Sequence, residues 1–123
     1  MKRTVLVVDD SPTVVKFVTL SLRKGGYEVV AASDGMEAIE KVSGMTGDVD
    51  LVITDLDMPN LDGYGLITTL RENERFTRTP IIILSSSEGD DDRTRGLEVG
   101  ASSYLVKPFN AELLLDEVGK YLN

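Results

Sequence analysis

Residues 53–63 read ITDLDMPNLDG and place two aspartates, Asp55 and Asp57, where an apolar run meets a Pro-Asn turn. The segment DVDLVITD, which leads into them, has the pattern of a strand that is buried on both faces. Strands of that kind form parallel sheets, whose carboxyl ends face a ligand-binding crevice. Asp55 is therefore predicted at the end of a buried strand, where a charge indicates chemistry rather than packing.

The composition indicates one soluble globular domain. The chain has 123 residues, of which 41% are hydrophobic and 28% are charged, and this length is sufficient for a single core. No linker, low-complexity segment or long repeat interrupts it. We therefore expect one domain over residues 1–123, without an attached output domain.

Charge and residue usage exclude several classes of function. The formal net charge is −8 and no stretch is rich in lysine and arginine, so direct nucleic-acid binding is not expected. The absence of cysteine and histidine removes thiolate metal sites and the usual general base. The apolar runs VLVV and PIIIL are far shorter than the about 18 residues of a membrane span, so we expect a cytoplasmic protein without a membrane partner. Its chemistry has to use carboxylates, hydroxyls and lysine.

Strand and helix patterns alternate five times along the chain. The apolar runs predict strands at 4–8, 27–32, 50–54, 80–84 and 102–106. The intervening segments predict helices at 11–26, 34–42, 63–72, 91–100 and 111–122. Strands joined by helical segments imply right-handed crossovers, so the predicted fold is α/β, a doubly wound five-stranded parallel sheet with helices on both faces.

Two helix starts carry recognisable capping signals. Ser11 is a candidate N-cap with Pro12 at the first helical position. Asp34 is followed three residues later by Glu37, which is a capping-box pattern. The helix after Asp34 is predicted to have an apolar face that contains Met36, Ile39 and Val42.

The last two helices differ in their apolar content. The fourth is predicted to be the weakest, because it has Gly96 in its interior and few large apolar residues beyond Leu97 and Val99. The fifth has an apolar face made of Leu114, Val118 and Leu122.

Polar residues follow four of the five predicted strands. They are Asp9 and Asp10, Asp55, Ser85 to Ser87, and Lys107 with Pro108. Carboxylates packed together repel one another, so the acids of this group predict a bound cation. Oxygen ligands with room left for water and phosphate favour Mg²⁺.

Lys107 and Ser85 complete a set of groups suited to phosphoryl transfer to an aspartate. In that chemistry a carboxylate attacks in line while a cation and a lysine neutralise the phosphoryl oxygens. Each motif alone has a structural alternative: DDSP as an acidic helix start, DMPNLDG as a turn, the serines as a polar loop, and Tyr104 as a core residue. Their coincidence at one edge of the predicted sheet favours the chemical interpretation, with Asp55 as the nucleophile.

The motifs VLVVDDS, DLVITDLDMPNLDG, PIIILSS and GASSYLVKPF have the order and spacing of a response-regulator receiver domain. The resemblance covers the whole chain and is to the single-domain, CheY-like kind. It implies a flavodoxin-like sheet with strand order 2-1-3-4-5. It also implies that Asp55 accepts a phosphoryl group from the phosphohistidine of a sensor kinase or phosphotransfer protein.

The resemblance further implies a metal site and a switch. Mg²⁺ would bind Asp10, Asp55 and the backbone carbonyl of Asp57, with Asp9 assisting through water. In the switch, Lys107 would contact the phosphoryl group, Ser85 would turn toward it and Tyr104 would change rotamer. The Lys107–Pro108 peptide bond would be cis. Ser85 stands where threonine is commoner, which keeps the hydroxyl.

The implied output is a phosphorylation-dependent change of the face formed by helix 4, strand 5 and helix 5. That face would signal to a downstream protein partner, for example in chemotaxis. The chain would catalyse only its own phosphorylation and dephosphorylation, as a monomer or a weak phosphorylation-dependent dimer.

Three rival interpretations are weighed against this one. The DLD motif imitates the nucleophile of haloacid-dehalogenase-type aspartyl phosphatases, but here Asp9 and Asp10 precede it, whereas in that family the metal-binding acids follow. A flavodoxin shares the fold, yet acids after its first strand would repel the FMN phosphate. A receiver-like interaction module that is never phosphorylated is disfavoured by the complete set of acids, serine and lysine.

Overall fold

The structure is a computed structural model and describes residues 2–86 and 89–122. Five strands form one parallel sheet in the order β2-β1-β3-β4-β5. The strands are β1 Thr4–Val8, β2 Glu28–Ala32, β3 Leu51–Asp55, β4 Ile81–Ser85 and β5 Ser103–Val106. The strand order is the one implied by the resemblance, and the predicted strand boundaries are confirmed to within one residue.

Helices connect the strands and cover both faces of the sheet. They are α1 Pro12–Lys24, α2 Gly35–Ser43, α3 Gly63–Arg71, α4 Asp90–Val99 and α5 Ala111–Leu122. A short 3₁₀ helix, Glu74–Phe76, lies between α3 and β4 and has no counterpart in the sequence prediction. No helix in residues 2–86 and 89–122 has the length and apolarity that a membrane crossing requires.

The sheet divides the core into two layers, as a doubly wound fold requires. Every residue of the central strands β3 and β4 is buried, which explains why their sequences are apolar runs rather than alternating patterns. One layer packs α2 and α3 against the sheet and the other packs α1 and α5. Leu114, Val118 and Leu122 are buried in the second layer, as predicted for the final helix.

The predicted caps are present at the starts of α1 and α2. Ser11 Oγ accepts from Val14 N at 3.4 Å. Asp34 Oδ1 accepts from Glu37 N at 2.9 Å. The predicted apolar face of α2 is wrong at Met36, which is 47% exposed; Ala38, two positions on, is buried instead.

Helix α4 contacts the sheet through a glycine. Gly96 is buried, and a Cβ added there would lie 2.5 Å from Ile83 Cδ1. The residue that weakens the helix is therefore also the residue that lets it approach β4. Leu97 is 48% exposed and adds little to this contact.

Candidate functional site

Three aspartates meet at the carboxyl ends of β1 and β3. Each of Asp9, Asp10 and Asp55 offers a carboxylate oxygen, and these oxygens all lie within 4.8 Å of one another. Asp9 is 1% and Asp55 8% exposed, whereas Asp10 is open to solvent. The adjacent positions of β1 and β3 in the sheet bring these acids together, as the sequence predicted.

A lysine from the end of β5 reaches into the acidic cluster. Lys107 Nζ lies 2.8 Å from Asp9 Oδ2 and 3.5 Å from Asp55 Oδ1. Its backbone N–H donates to the Ser85 carbonyl at 2.8 Å, and the Lys107–Pro108 peptide bond is cis. The ammonium thus bridges the two buried carboxylates.

Local hydrogen bonds fix the orientation of Asp55. Its Oδ1 accepts from the backbone N–H of Leu56 at 2.9 Å, and its carbonyl accepts from Thr54 Oγ1 at 2.9 Å. The first residue of α3, Gly63, packs directly on the Asp55 carbonyl, so any larger side chain would clash there. The DG pair that ends the motif ITDLDMPNLDG supplies this glycine.

Burial and the neighbouring charges shift the pKa values of both Asp55 and Lys107. Burial raises the pKa of Asp55, and repulsion from Asp9 adds to the shift, while Lys107 and the Leu56 N–H only partly oppose it. Burial alone would lower the pKa of Lys107, but the hydrogen bond to Asp9 and the charge of Asp55 outweigh it and the net pKa is raised. Lys107 is therefore a firmly protonated cation beside a carboxylate that is costly to ionise.

The two predicted switch residues, Ser85 and Tyr104, lie on β4 and β5, the two strands that follow β3 in the sheet. Ser85 is the buried last residue of β4, one position beyond Leu84, which pairs with Asp55. Tyr104 lies in the middle of β5 and is half-buried, with the Arg93 guanidinium carbon of α4 5.2 Å from its ring centroid. Ser87, also predicted at the site, lies outside the described residues.

The carboxylate of Asp57 does not join the acidic cluster among the residues described. Asp57 is exposed in the loop after β3. The cluster in this part of the chain consists of Asp9, Asp10 and Asp55. The role expected of Asp57 is that of its backbone carbonyl, and it stays a prediction.

The acidic cluster fits a hard divalent cation. All the donors it offers are carboxylate oxygens, which is the ligand type that Mg²⁺ and Ca²⁺ prefer. Asp10 is exposed, so a bound ion could keep part of its water shell, which suits Mg²⁺.

An apolar groove beside Lys107 was not foreseen from the sequence. It has a volume of about 500 Å³. Its lining comes from the start of α1, the end of β4 and the segment after β5: Thr13, Val14, Phe17, Ser86, Lys107, Pro108 and Phe109. Phe17 is 40% exposed, and its ring centroid lies 5.9 Å from that of Phe109. The available signal was an aromatic residue directly before the core position Val18.

Comparisons with known proteins identify the family. Residues 5–119 match the response regulator receiver domain, and the chain belongs to this family. Proteins of this family act in two-component signalling, exchange signals with histidine kinases and downstream effectors, and bind Mg²⁺ in an acidic pocket. The chain is thus a two-component response regulator, and the phosphatase and flavodoxin alternatives lose their support.

Individual relatives agree with this assignment. The chain is 38% identical over 114 residues to the protein PilG of Pseudomonas aeruginosa, covering 93% of this chain and 83% of PilG. It is 37% identical over 110 residues to the transcriptional regulatory protein PhoP of Bacillus subtilis, covering 89% of this chain but only 44% of PhoP. The chemotaxis response regulator CheY4 of Vibrio cholerae superposes with a TM-score of 0.92 at 35% identity, over 99% of this chain and 100% of that one.

Proposed function

We propose that Asp55 is the phosphorylation site and accepts a phosphoryl group from the phosphohistidine of a sensor kinase or phosphotransfer protein. The observation that carries this proposal is the position of Lys107 Nζ, 3.5 Å from Asp55 Oδ1 and 2.8 Å from Asp9 Oδ2. A cation held beside a buried carboxylate at the end of a parallel strand is suited to an incoming phosphoryl group.

The transfer exchanges one bond to phosphorus for another. A carboxylate oxygen of Asp55 forms the new P–O bond while the P–N bond to the donor imidazole breaks, and the released imidazole nitrogen takes up a proton. The Leu56 N–H orients the attacking carboxylate through Oδ1. Lys107 balances the negative charge of the phosphoryl oxygens, and the Ser85 hydroxyl turns toward them afterwards.

The cation would be held by the acidic cluster. Asp10, Asp55 and the backbone carbonyl of Asp57 are the proposed direct ligands of Mg²⁺, with Asp9 acting through water. When bound, the ion supplies positive charge to a phosphoryl oxygen. The all-oxygen donor set of Asp9, Asp10 and Asp55 supports this assignment.

The apolar groove beside Lys107 is the proposed docking surface for the phosphoryl donor. Its exposed aromatic pair, Phe17 and Phe109, lies next to the lysine that faces Asp55. Helix α1 carries Lys16, Arg23 and Lys24 but no acidic residue, in a chain with a net charge of −8. A donor that presents apolar and acidic side chains would bind this face.

The output is proposed to run through Tyr104 and the face formed by α4, β5 and α5. Inward rotation of the half-buried Tyr104 ring would remove it from Arg93, which it now contacts, and alter the surface that a partner protein reads. The similarity to the chemotaxis response regulator CheY4 supports a chemotaxis-like pathway. We further propose a cytoplasmic location for this receiver domain, which would be monomeric or weakly dimeric when phosphorylated.

Labelling with acetyl phosphate tests the proposal. We expect one base-labile phosphoryl adduct on Asp55, formed only with Mg²⁺ present and absent from Asp55→Asn. Asp48→Asn, which removes an exposed carboxylate remote from the site, should label like the wild type. Full labelling of Asp55→Asn, or of the wild type in EDTA, would contradict the site. No labelling at all would favour an interaction module that is never phosphorylated.

A further inference from the structure

Helix α4 buries little apolar surface of its own beyond Val99, which is partly buried against the core, and so depends on contacts made by its neighbours. Among the residues of α4 that are described, Gly96 is the buried one, and Leu97 is 48% exposed. An interior glycine also lowers helix stability relative to alanine. A helix with so few buried apolar side chains is held in place mainly by contacts from the neighbouring elements.

Tyr64 of α3 contacts the first two turns of α4. Its hydroxyl lies 3.1 Å from Asp92 Oδ1 and 3.3 Å from the Asp92 carbonyl oxygen, and can donate to either. The Arg95 guanidinium carbon stacks 4.0 Å from the centroid of the Tyr64 ring. Burial and the hydrogen bond to Asp92 raise the pKa of Tyr64 to about 12, which is consistent with a firmly held phenol proton.

The carboxyl-terminal end of α4 also contacts α3. Arg71, the last residue of α3, donates to the Gly100 carbonyl through Nε at 3.0 Å and Nη2 at 2.8 Å. Its Nη1 donates to the Thr79 and Phe76 carbonyls, each at 2.6 Å, which fixes Arg71 to the segment before β4. Helix α3 therefore contacts α4 at both ends. Arg71 makes several hydrogen bonds at the carboxyl-terminal end, and the phenol of Tyr64 makes the contact near the start.

A short chain of hydrogen bonds joins Tyr64 to the acidic cluster. Asp55 Oδ1 accepts from Leu56 N at 2.9 Å, and the Leu56 carbonyl accepts from Gly63 N at 2.9 Å. Gly63 also packs on the Asp55 carbonyl, and Tyr64 is the next residue. In an acyl phosphate the carbonyl oxygen is a weaker acceptor than a carboxylate oxygen, so phosphorylation would loosen the first of these bonds.

We propose that Tyr64 is a latch that holds α4 in its resting position and that phosphorylation of Asp55 releases it through Leu56 and Gly63. The latch acts in addition to the route through Ser85 and Tyr104, because it reaches α4 from α3 rather than from β5. Its release step rests on the proposed function, in which Asp55 is the phosphorylated residue; its resting contact does not.

Amide hydrogen exchange of Tyr64→Phe in the resting chain tests the latch. This variant removes only the hydroxyl. We expect exchange of the amides in the first two turns of α4 to accelerate about tenfold, the factor that corresponds to about 1.4 kcal/mol. Exchange in β1 should not change. Tyr121→Phe is the matched control, since it removes a phenol that donates to the Ser102 carbonyl at 3.3 Å on another face. Unchanged α4 exchange in Tyr64→Phe would overturn the latch.

The same measurement with beryllofluoride and Mg²⁺ tests the release. We expect the ligand to accelerate α4 exchange about tenfold in the wild type but less than threefold in Tyr64→Phe, whose latch is already open. An equal increase in both proteins, or no increase in the wild type, would overturn the coupling. Acetyl phosphate labelling of both proteins shows separately whether Asp55 reacts and whether the variant is folded. A failure to label therefore contradicts the proposed function, while the resting comparison still decides the latch.

Discussion

The ammonium of Lys107 lies closer to Asp9 than to Asp55, at 2.8 Å from Asp9 Oδ2 against 3.5 Å from Asp55 Oδ1. Asp9 is thus the main counter-ion of the lysine in the resting site. It also raises the pKa of Asp55 by repulsion, second only to burial. One buried carboxylate therefore makes the shorter contact with the cation and also makes the acceptor harder to ionise.

Asp9→Asn is expected to lower the pKa of Asp55. The substitution removes the repulsion and frees Lys107 to pair with Asp55, while the amide oxygen can still accept from Ser11 N, now 2.9 Å from Asp9 Oδ1. Titration of the Asp55 carboxyl carbon by NMR in metal-free buffer measures the change. Asp48→Asn is the control and should leave the titration unchanged; a higher pKa of Asp55 in Asp9→Asn would contradict the assignment of charges.

Asp55→Asn is expected to raise the free energy of unfolding at neutral pH without metal. The pKa of Asp55 is raised in the folded chain, so the folded state binds this proton more tightly than the unfolded state. The resulting penalty is absent below the unfolded value of 3.8, grows as pH rises from there, and is complete above the raised folded pKa. Asparagine does not carry this penalty.

Urea unfolding in EDTA at pH 7 and at pH 3.5 measures this difference. The advantage of Asp55→Asn over the wild type should be present at pH 7 and absent at pH 3.5. Asp48→Asn should stay within about 0.5 kcal/mol of the wild type, as surface substitutions generally do. A destabilised Asp55→Asn at pH 7 would show that its pairing with Lys107 outweighs burial and repulsion.

Magnesium is expected to stabilise the wild type through the acidic cluster. At a free concentration one hundred times the dissociation constant, binding to the folded state alone contributes about 2.7 kcal/mol. Asp10→Asn removes a proposed direct ligand and should shift the Mg²⁺ dependence of the thermal midpoint to higher concentration. Asp57→Asn keeps the backbone carbonyl and should shift it less. Equal shifts in the two variants would contradict the proposed role of the Asp57 backbone.

The sequence predicts the site well where chain order determines position. Asp9 and Lys107 directly follow a strand and Asp55 and Ser85 are the last residues of theirs, and a parallel sheet brings all strand ends of one direction to the same edge. Their placement at one edge therefore follows from the alternation of strands and helices, while the strand order that makes β1 and β3 neighbours was implied by the family resemblance. The finer pairing of Lys107 with Asp9 depends on side-chain packing and could not be read from spacing.

Contacts between helices escape sequence analysis for a related reason. Met36 has the spacing of a core residue but is exposed, because the small Ala38 meets the sheet instead. Tyr64 and Asp92 are 28 positions apart, and only the assembled fold brings them together. Phe17 likewise lines the groove together with Phe109, which belongs to a different βα unit, so its role is visible only in the assembled fold.

Phe17→Ala is expected to slow phosphoryl transfer from a kinase but not from acetyl phosphate. Phe17 lines the groove beside Lys107, and losing about 1.4 kcal/mol of its apolar contact with the donor would lower kcat/KM about tenfold. Acetyl phosphate is too small to need that surface. Leu20→Ala is the matched control, because Leu20 is exposed on α1 but does not line the groove. Equal losses in both variants would place the docking surface elsewhere on α1.

Tyr64 is expected to titrate well above an ordinary tyrosine and to couple stability to alkaline pH. Its pKa is about 12 in the folded chain, chiefly through burial and the hydrogen bond to Asp92, against 10.0 for an unperturbed phenol. The folded state therefore holds this proton more tightly, so its stabilisation is complete below pH 10 and is lost as pH rises through about 12. The stability difference between the wild type and Tyr64→Phe should accordingly stay constant up to pH 10 and shrink above it.

Urea unfolding from pH 8 to pH 11 follows that difference, and ultraviolet absorbance follows the ionisation of the phenol itself. Tyr121→Phe provides the comparison, and a Tyr64 that ionises near pH 10 would contradict its hydrogen bond to Asp92.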